Sequence, residues 1–117
     1  MRPSTRIRQN EPVQREFSAD DGLRVFFDVY DADRPRAVVQ LAHGVGEHAG
    51  RYRPLAEHLV GEGYRVYADD HRGHGRTGME QWHGDASKLG RLGPGGLRAA
   101  LRDLRAFTRL IRDENPG

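Results

Sequence analysis

The sequence feature that most constrains the fold is a short apolar segment that runs directly into a glycine-rich loop, followed by a helical pattern and a second apolar segment. Residues 37–42 form a nearly continuous apolar run, as expected of a buried parallel strand. The loop reads HGVGEHAG over residues 43–50. One apolar helix face is then predicted by residues at i, i+3, i+4, i+7 and i+8, namely Tyr52, Leu55, Ala56, Leu59 and Val60. Gly61 and Gly63 are expected to end this helix, and residues 64–68 to form the next strand.

Two further strands are predicted before this unit and one helix after it. Residues 13–18 alternate apolar and polar side chains, and residues 23–30 are rich in β-branched and aromatic residues. The Asp21-Gly22 pair between them favours a hairpin turn. Residues 69–94 are glycine-rich without a clear period, which predicts an irregular segment. The last helix is predicted by an apolar face of Leu97, Ala100, Leu101, Leu104, Phe107 and Ile111, and Asn115-Pro116-Gly117 stops it.

The order of these elements predicts an α/β fold. A hairpin followed by β-loop-α-β-loop-α indicates a right-handed crossover onto a mostly parallel sheet. Residues 1–12 show no periodicity and are expected to be a mobile N-terminal arm, and residues 13–117 to form one partial domain.

Composition excludes several classes of function. The absence of cysteine excludes disulfides, thiolate metal ligands and a cysteine nucleophile. No apolar run approaches about 18 residues, and no apolar stretch follows the basic N-terminus, so neither a transmembrane segment nor a secretory signal is expected. A cytoplasmic location is therefore the default expectation. The net charge is +2, but the arginines are spread among 17 acidic residues, so we expect no nucleic-acid partner.

Three kinds of chemistry could explain the glycine loop. Four histidines near strand ends, His43, His48, His71 and His74, suggest a metal site, but their spacing matches no familiar zinc pattern, and no metal is expected. The glycines do not fit GxGxxG or the P-loop, which disfavours a nucleotide. The third possibility is an oxyanion hole, in which a fixed backbone N–H stabilises the negative oxygen of a tetrahedral intermediate. The glycines would permit the sharp turn that this requires.

Residues 43–78 carry a family resemblance. They read HGVGEHAGRYRPLAEHLVGEGYRVYADDHRGHGRTG, with the patterns HGxGEHxGRYxxLA and DHRGHGxS/T separated by a helix and a strand. This tract resembles the monoacylglycerol lipase and lysophospholipase branch of the α/β-hydrolase superfamily, and the likeness extends over residues 14–117. It implies a serine carboxylic-ester hydrolase that forms a Ser-acyl intermediate on a lipid or other small ester, without a cofactor. HGxG, rather than HGxP, favours this over an epoxide hydrolase or dehalogenase.

The resemblance also implies roles for the loop after the third strand. The backbone N–H of Val45 would supply the first oxyanion donor. His43 and Gly44 would form the turn that enters the hole, and Gly46 would allow close approach of the substrate. The loop itself would be stabilised by Glu47 and His48.

A second turn, after the fourth strand, is implied to order the wall of the site. It comprises Asp70, His71, Arg72, Gly73, His74 and Gly75. Asp69 stands where the family more often has an uncharged residue, and Thr77 stands where serine is common.

The nucleophile of such a hydrolase is not found in this sequence. It should lie in a GxSxG motif, followed by an acid and then a histidine. Ser4, Ser18 and Ser87 are not in such a motif. We therefore expect the fold to be interrupted before the nucleophile strand. The Ser-Asp-His triad, and the lid through which any peripheral membrane contact would occur, would follow residue 117.

The 117-residue polypeptide alone should then be inert toward esters, with the strand over residues 37–42 as an unpaired, aggregation-prone edge. Two alternatives stay open. One is another α/β-hydrolase, such as a proline iminopeptidase-type peptidase, and the other is a non-catalytic binding fragment derived from a hydrolase.

Overall fold

The computed structural model describes residues 11–117, so the mobile arm predicted for residues 1–12 falls, except for its last two residues, outside the described residues. Within these residues, four strands and three α-helices follow in chain order. They are β1 (Val13–Ser18), β2 (Arg24–Tyr30), β3 (Ala37–Leu41), α1 (Arg53–Gly61), β4 (Tyr64–Asp69), α2 (Gly75–Gln81) and α3 (Gly96–Glu114). Short 3-10 helices cover Ala49–Tyr52 and Ala86–Lys88.

The strands form one mixed sheet in the order β1-β2-β4-β3. β1 and β2 make the expected antiparallel hairpin, and Gly22 adopts the positive φ of 88° that its turn requires. β3 and β4 pair in parallel across α1, as the β-α-β pattern predicts. β2 pairs with β4 in antiparallel fashion, so β3 lies at one edge of the sheet.

The two faces of the sheet are covered by different helices. Phe27 and Tyr67 point to one face, where they pack with Phe107 of α3. Val66 points to the opposite face, where it packs with Ala56 of α1. Because side chains alternate along a strand, neighbouring residues of β4 contribute to opposite cores.

The segment predicted to be irregular contains a helix, so that prediction is wrong for residues 75–81. α2 has no apolar period, which is why the pattern did not reveal it. It is held by tertiary contacts instead: the N–H of Arg76 donates to Oδ2 of Asp70 at 2.9 Å. Gly78 packs so closely on Gly73 that a Cβ there would lie 2.5 Å from the carbonyl carbon of Gly73.

The face that α3 buries differs in part from the prediction: Phe107 and Ile111 are buried as expected, but the rest of the face is not the predicted one. The residues buried on α3 are Ala99, Asp103, Phe107 and Ile111, whereas Leu97 and Leu101 are 68% and 52% exposed. Asp103, a charged residue that the apolar pattern did not include, turns inward because its Oδ2 pairs with Nε of Arg72 at 2.7 Å. Leu55 of α1, predicted on its apolar face, is likewise exposed.

Thr77 joins β2 to the turn after β4. Its side chain is fully buried, and Oγ1 donates to the backbone oxygen of Asp70 at 2.7 Å while accepting from the N–H of Phe26 at 2.9 Å. A single hydroxyl therefore satisfies two backbone groups from different elements.

We expect Thr77→Val to lower the free energy of unfolding by about 1–3 kcal/mol, because both backbone groups would lose their partner. Thr77→Ser is the matched control, since it keeps the hydroxyl and removes only a methyl group, which is worth about 1 kcal/mol. Urea denaturation measures both variants. A serine variant that loses as much as the valine variant would contradict the role of the hydroxyl.

Candidate active-site loops at the carboxyl ends of β3 and β4

The loop after β3 is a tight turn. The N–H of Glu47 donates to the oxygen of Gly44 at 3.1 Å, and Gly46 has a φ of 81°. A positive φ at the third position of a four-residue turn is the signature of a type II turn, which favours glycine there. The side chain of Val45 at the tip is 92% exposed, and within residues 11–117 its N–H has no hydrogen-bond acceptor.

Glu47 closes this turn. Its Oε1 accepts the N–H of Gly44 at 2.8 Å and the hydroxyl of Tyr52 at 2.6 Å, and its Oε2 lies 3.0 Å from Nε of Arg51. The Tyr52 hydroxyl and the Gly44 N–H hold the pKa of Glu47 below its usual value. The carboxylate is therefore ionised near neutral pH and acts as an acceptor for the loop. His48 is exposed and begins the 3-10 helix as its N-cap, without a side-chain cap.

Asp70 connects both loops. Its carboxylate is buried; Oδ1 accepts the N–H of Ala49 at 2.7 Å, and Oδ2 accepts Nε of Arg76 at 2.7 Å. Burial alone would raise the pKa of Asp70, but these donors together place it below the usual value. The loop after β3 is thus tied to the turn after β4 by a charged group that titrates only in acid.

Three histidines of the two loops cluster with their rings tilted against one another. The ring centroids of His43 and His71 are 3.9 Å apart, and those of His43 and His74 are 5.0 Å apart. The backbone N–H of His71 donates to Nε2 of His43 at 2.9 Å. Within the described part of the chain, no group of three or more histidine, aspartate or glutamate side chains is arranged to hold a metal ion.

Arg72, in the turn after β4, is a buried cation. It is 3% exposed and makes paired hydrogen bonds to Asp103, at 2.7 and 2.9 Å, and to Asp21, at 2.8 and 3.1 Å. The hydrogen bonds that Arg72 donates to Asp103 and Asp21 raise the pKa of its guanidinium. This residue therefore fastens the turn to α3 and to the β1–β2 hairpin.

The structure brings together most of the residues that the sequence singled out. The loop of His43 to His48 and the turn of Asp70 to Gly75 meet where the parallel strands β3 and β4 end, which is where open α/β sheets place their ligand sites. Sequence reasoning missed Arg76, which also bonds Asp28 of β2 at 2.7 Å. It lies inside the quoted tract, but no local pattern indicates its partners.

Comparison with known proteins decides the family. The profile described as "Serine aminopeptidase, S33" matches residues 33–117, most of the chain. The chain belongs to the S33 serine aminopeptidase family. Its mixed sheet and flanking helices correspond to the N-terminal part of α/β-hydrolase structures, and its sequence is similar to that of monoacylglycerol lipases.

Individual relatives agree with this assignment. A monoacylglycerol lipase of Mycolicibacterium smegmatis is 48% identical over 71 residues, which cover 60% of this chain and 25% of that protein. A thermostable carboxyl esterase from Bacillus coagulans superposes with a TM-score of 0.76 at 28% identity, over 90% of this chain and 33% of that one. A monoglyceride lipase from Saccharomyces cerevisiae superposes with a TM-score of 0.67 at 22% identity, over 88% and 31%, and supports the fold alone.

This S33 family chain spans about a quarter of the length of the lipase that it matches. None of the helices within residues 11–117 combines the length and apolar character needed to cross a bilayer.

Proposed function

We propose that this chain forms the N-terminal part of a serine carboxylic-ester hydrolase of the monoacylglycerol lipase type. The observation that carries the proposal is the turn at Val45: an unpartnered backbone N–H at the tip of a glycine turn, at the carboxyl end of a parallel strand. Likeness to the Mycolicibacterium lipase supports the substrate class. We propose residues 13–117 as one partial domain and a cytoplasmic location.

The proposed chemistry places the Ser-Asp-His triad beyond residue 117. The serine attacks the ester carbonyl, and the oxygen of the tetrahedral intermediate accepts the N–H of Val45, together with a second N–H next to the serine. The triad histidine takes the proton of the serine hydroxyl and gives it to the alcohol, which leaves as the intermediate collapses. Water, deprotonated by the same histidine, then attacks the acyl-serine and releases the acid. No cofactor is needed for these steps.

Neighbouring residues hold the N–H of Val45 in place and leave space beside it. Gly46 has no atom within 4 Å of the place where a Cβ would stand, so the space beside the turn is open to a substrate. Glu47 holds the turn through Gly44, and Asp70 holds the start of the following helical segment through Ala49. The donor is therefore fixed before the reaction, which is what makes such electrostatic stabilisation effective.

Substrate profiling of the full-length enzyme tests the function. We expect hydrolysis of monoacylglycerols and p-nitrophenyl esters, and no release of an N-terminal proline from a peptide substrate. Preferential cleavage of the peptide would favour the proline iminopeptidase type. Folded, full-length protein that cleaves neither would favour a non-catalytic role. The 117-residue polypeptide alone should be inert, and any lipid-surface contact is proposed to occur through a lid beyond residue 117.

The role of Val45 predicts an effect of the backbone and not of the side chain. In the full-length enzyme, Val45→Pro removes the N–H and should lower kcat by about 10²–10³-fold, the range for loss of one oxyanion donor. Val45→Ala keeps the N–H and should change kcat by less than about twofold, because the side chain is exposed. Steady-state kinetics on a p-nitrophenyl ester compares them. Equal losses in both variants would refute the backbone role.

A further inference from the structure

Both ring nitrogens of His71 face oxygen acceptors. Nδ1 lies 3.0 Å from Oδ2 of Asp69, and Nε2 lies 3.1 Å from the backbone oxygen of His43. A neutral imidazole has one N–H and one lone pair, so it can donate to only one of these oxygens and would turn its lone pair toward the other. The imidazolium form donates to both. The contacts therefore select the charged form of His71.

Asp69 supplies the opposite charge. Its carboxylate is 2% exposed, and within the described residues Oδ1 has no hydrogen-bond partner. A buried carboxylate is stable only beside a compensating charge, and His71 is the cation that contacts it. Each member of the pair thus requires the charge of the other.

The titratable groups around His71 are His43, His74 and Asp70, and their contacts are compatible with a positive charge on the His71 ring. Nε2 of His43 accepts the backbone N–H of His71. The ring of His43 therefore carries its proton on Nδ1, which lies 2.8 Å from the backbone oxygen of Gly44. Burial lowers the pKa of His43 and keeps it neutral. His74 contacts the backbone oxygen of Arg72 through Nδ1 at 3.0 Å, and within the described residues its buried Nε2 has no hydrogen-bond partner. Asp70, the remaining charged neighbour, is paired with Arg76.

We propose that Asp69 and His71 form a charged clamp that positions the oxyanion loop, residues 43–47, and that this loop loosens when His71 loses its proton. Neutral His71 keeps its remaining N–H on Asp69, because an ionised carboxylate is the stronger acceptor. The contact to the backbone oxygen of His43, the first residue of the loop, is then lost. The clamp itself is a property of the fold; its consequence for catalysis, through Val45, rests on the proposed function.

The direction of the pH dependence follows from the pair. Burial alone would lower the pKa of His71, but the hydrogen bond and charge of Asp69 raise it above its ordinary value of 6.5. A group whose pKa is raised by folding adds stability that is fully present below its unfolded pKa and disappears as the pH rises through its folded pKa. The clamp should therefore stabilise the protein most below pH 6.5.

Asp69→Asn tests the clamp in the full chain. At about pH 6 we expect this variant to melt roughly 5 °C or more below the parent, and at about pH 9 the difference should vanish or reverse, because the parent then holds a buried carboxylate without its cation. Asp113→Asn, at an exposed carboxylate of α3, is the control and should shift the melting temperature by less than about 1 °C at either pH. A decrease in the melting temperature of Asp69→Asn that is the same at both pH values would overturn the proposal.

Nuclear magnetic resonance measures the protonation of the His71 ring directly, and a merely structural role of Asp69 would leave that protonation unchanged. In the parent chain, the titration midpoint of His71 should lie above 6.5, with both ring nitrogens protonated below that midpoint, and the amide resonances of Gly44 to Glu47 should shift with it. Asp69→Asn should lower that midpoint. A midpoint at or below 6.5 in the parent, or loop amides that do not follow it, would overturn the clamp. Neither the melting temperatures nor the resonance titration involves ester turnover. A negative result in either would therefore contradict the clamp without bearing on the proposed hydrolase activity.

Discussion

Replacing Arg72 with methionine is expected to lower the free energy of unfolding by about 3–5 kcal/mol, the range for breaking a buried ion pair from one side. The guanidinium is 3% exposed and makes two hydrogen bonds to Asp103, whose side chain is 6% exposed. Its removal leaves a buried carboxylate without a compensating charge between α3 and the turn after β4. Asp21, the other partner, is 47% exposed and can be solvated by water, so it adds less to the loss.

Two controls separate this explanation from a general effect of losing an arginine. Arg112→Met, at an exposed position of α3 without an ion-pair partner among the described residues, should change stability by less than about 0.5 kcal/mol. The double variant Arg72→Met with Asp103→Leu should recover most of the loss, since an apolar pair in place of a buried ion pair is often neutral. Chemical denaturation of the parent and these three variants tests the explanation, and a double variant that is less stable than Arg72→Met would contradict it.

Gly73→Ala is expected to cost about 4 kcal/mol or more, which should prevent the turn after β4 from forming as it does here. Gly73 has a φ of 81°, which an L-residue adopts only with strain. A Cβ at this position would also stand 2.2 Å from the backbone oxygen of Arg91, closer than any real contact. Neither backbone can yield easily, because the N–H of Gly90 donates to the oxygen of Gly73 at 2.7 Å.

The chain offers a matched control for this effect. Gly84 has nearly the same φ, 83°, but no atom within 4 Å of its would-be Cβ. Gly84→Ala should therefore show the backbone strain alone, about 1–2 kcal/mol. Thermal and urea unfolding of both variants measures the steric part as their difference. Equal losses would mean that the close approach to Arg91 is relieved by a small shift and that strain is the whole effect.

Much of the fold could be predicted from local sequence. The four strands, α1 and α3 were predicted within a few residues, because alternation and helical spacing are properties of neighbouring side chains. α2 could not be predicted in this way. Its residues have no apolar face, and it depends on Asp70 and on the close contact of Gly78 with Gly73.

In the candidate site, too, the features set by neighbouring residues could be predicted and those set by distant residues could not. The resemblance located both loops, since their glycines and histidines are consecutive in the chain. It did not identify Arg76, whose partners Asp70, Asp28 and Gln14 lie 6, 48 and 62 residues away. It noted Asp69 as unusual, but only the distance to His71 shows what the carboxylate contacts.

The sequence by itself determined the alternation of strands and helices, the hairpin at Asp21-Gly22 and the glycine turn at Gly46, because each depends on residues within a few positions of one another. Tertiary structure decided which face α3 buries, where Arg72 finds its carboxylates and which proton state His71 must hold. Those outcomes depend on charges that are taken out of water, and a buried charge is stable only beside a partner that the folded chain brings from far along the sequence.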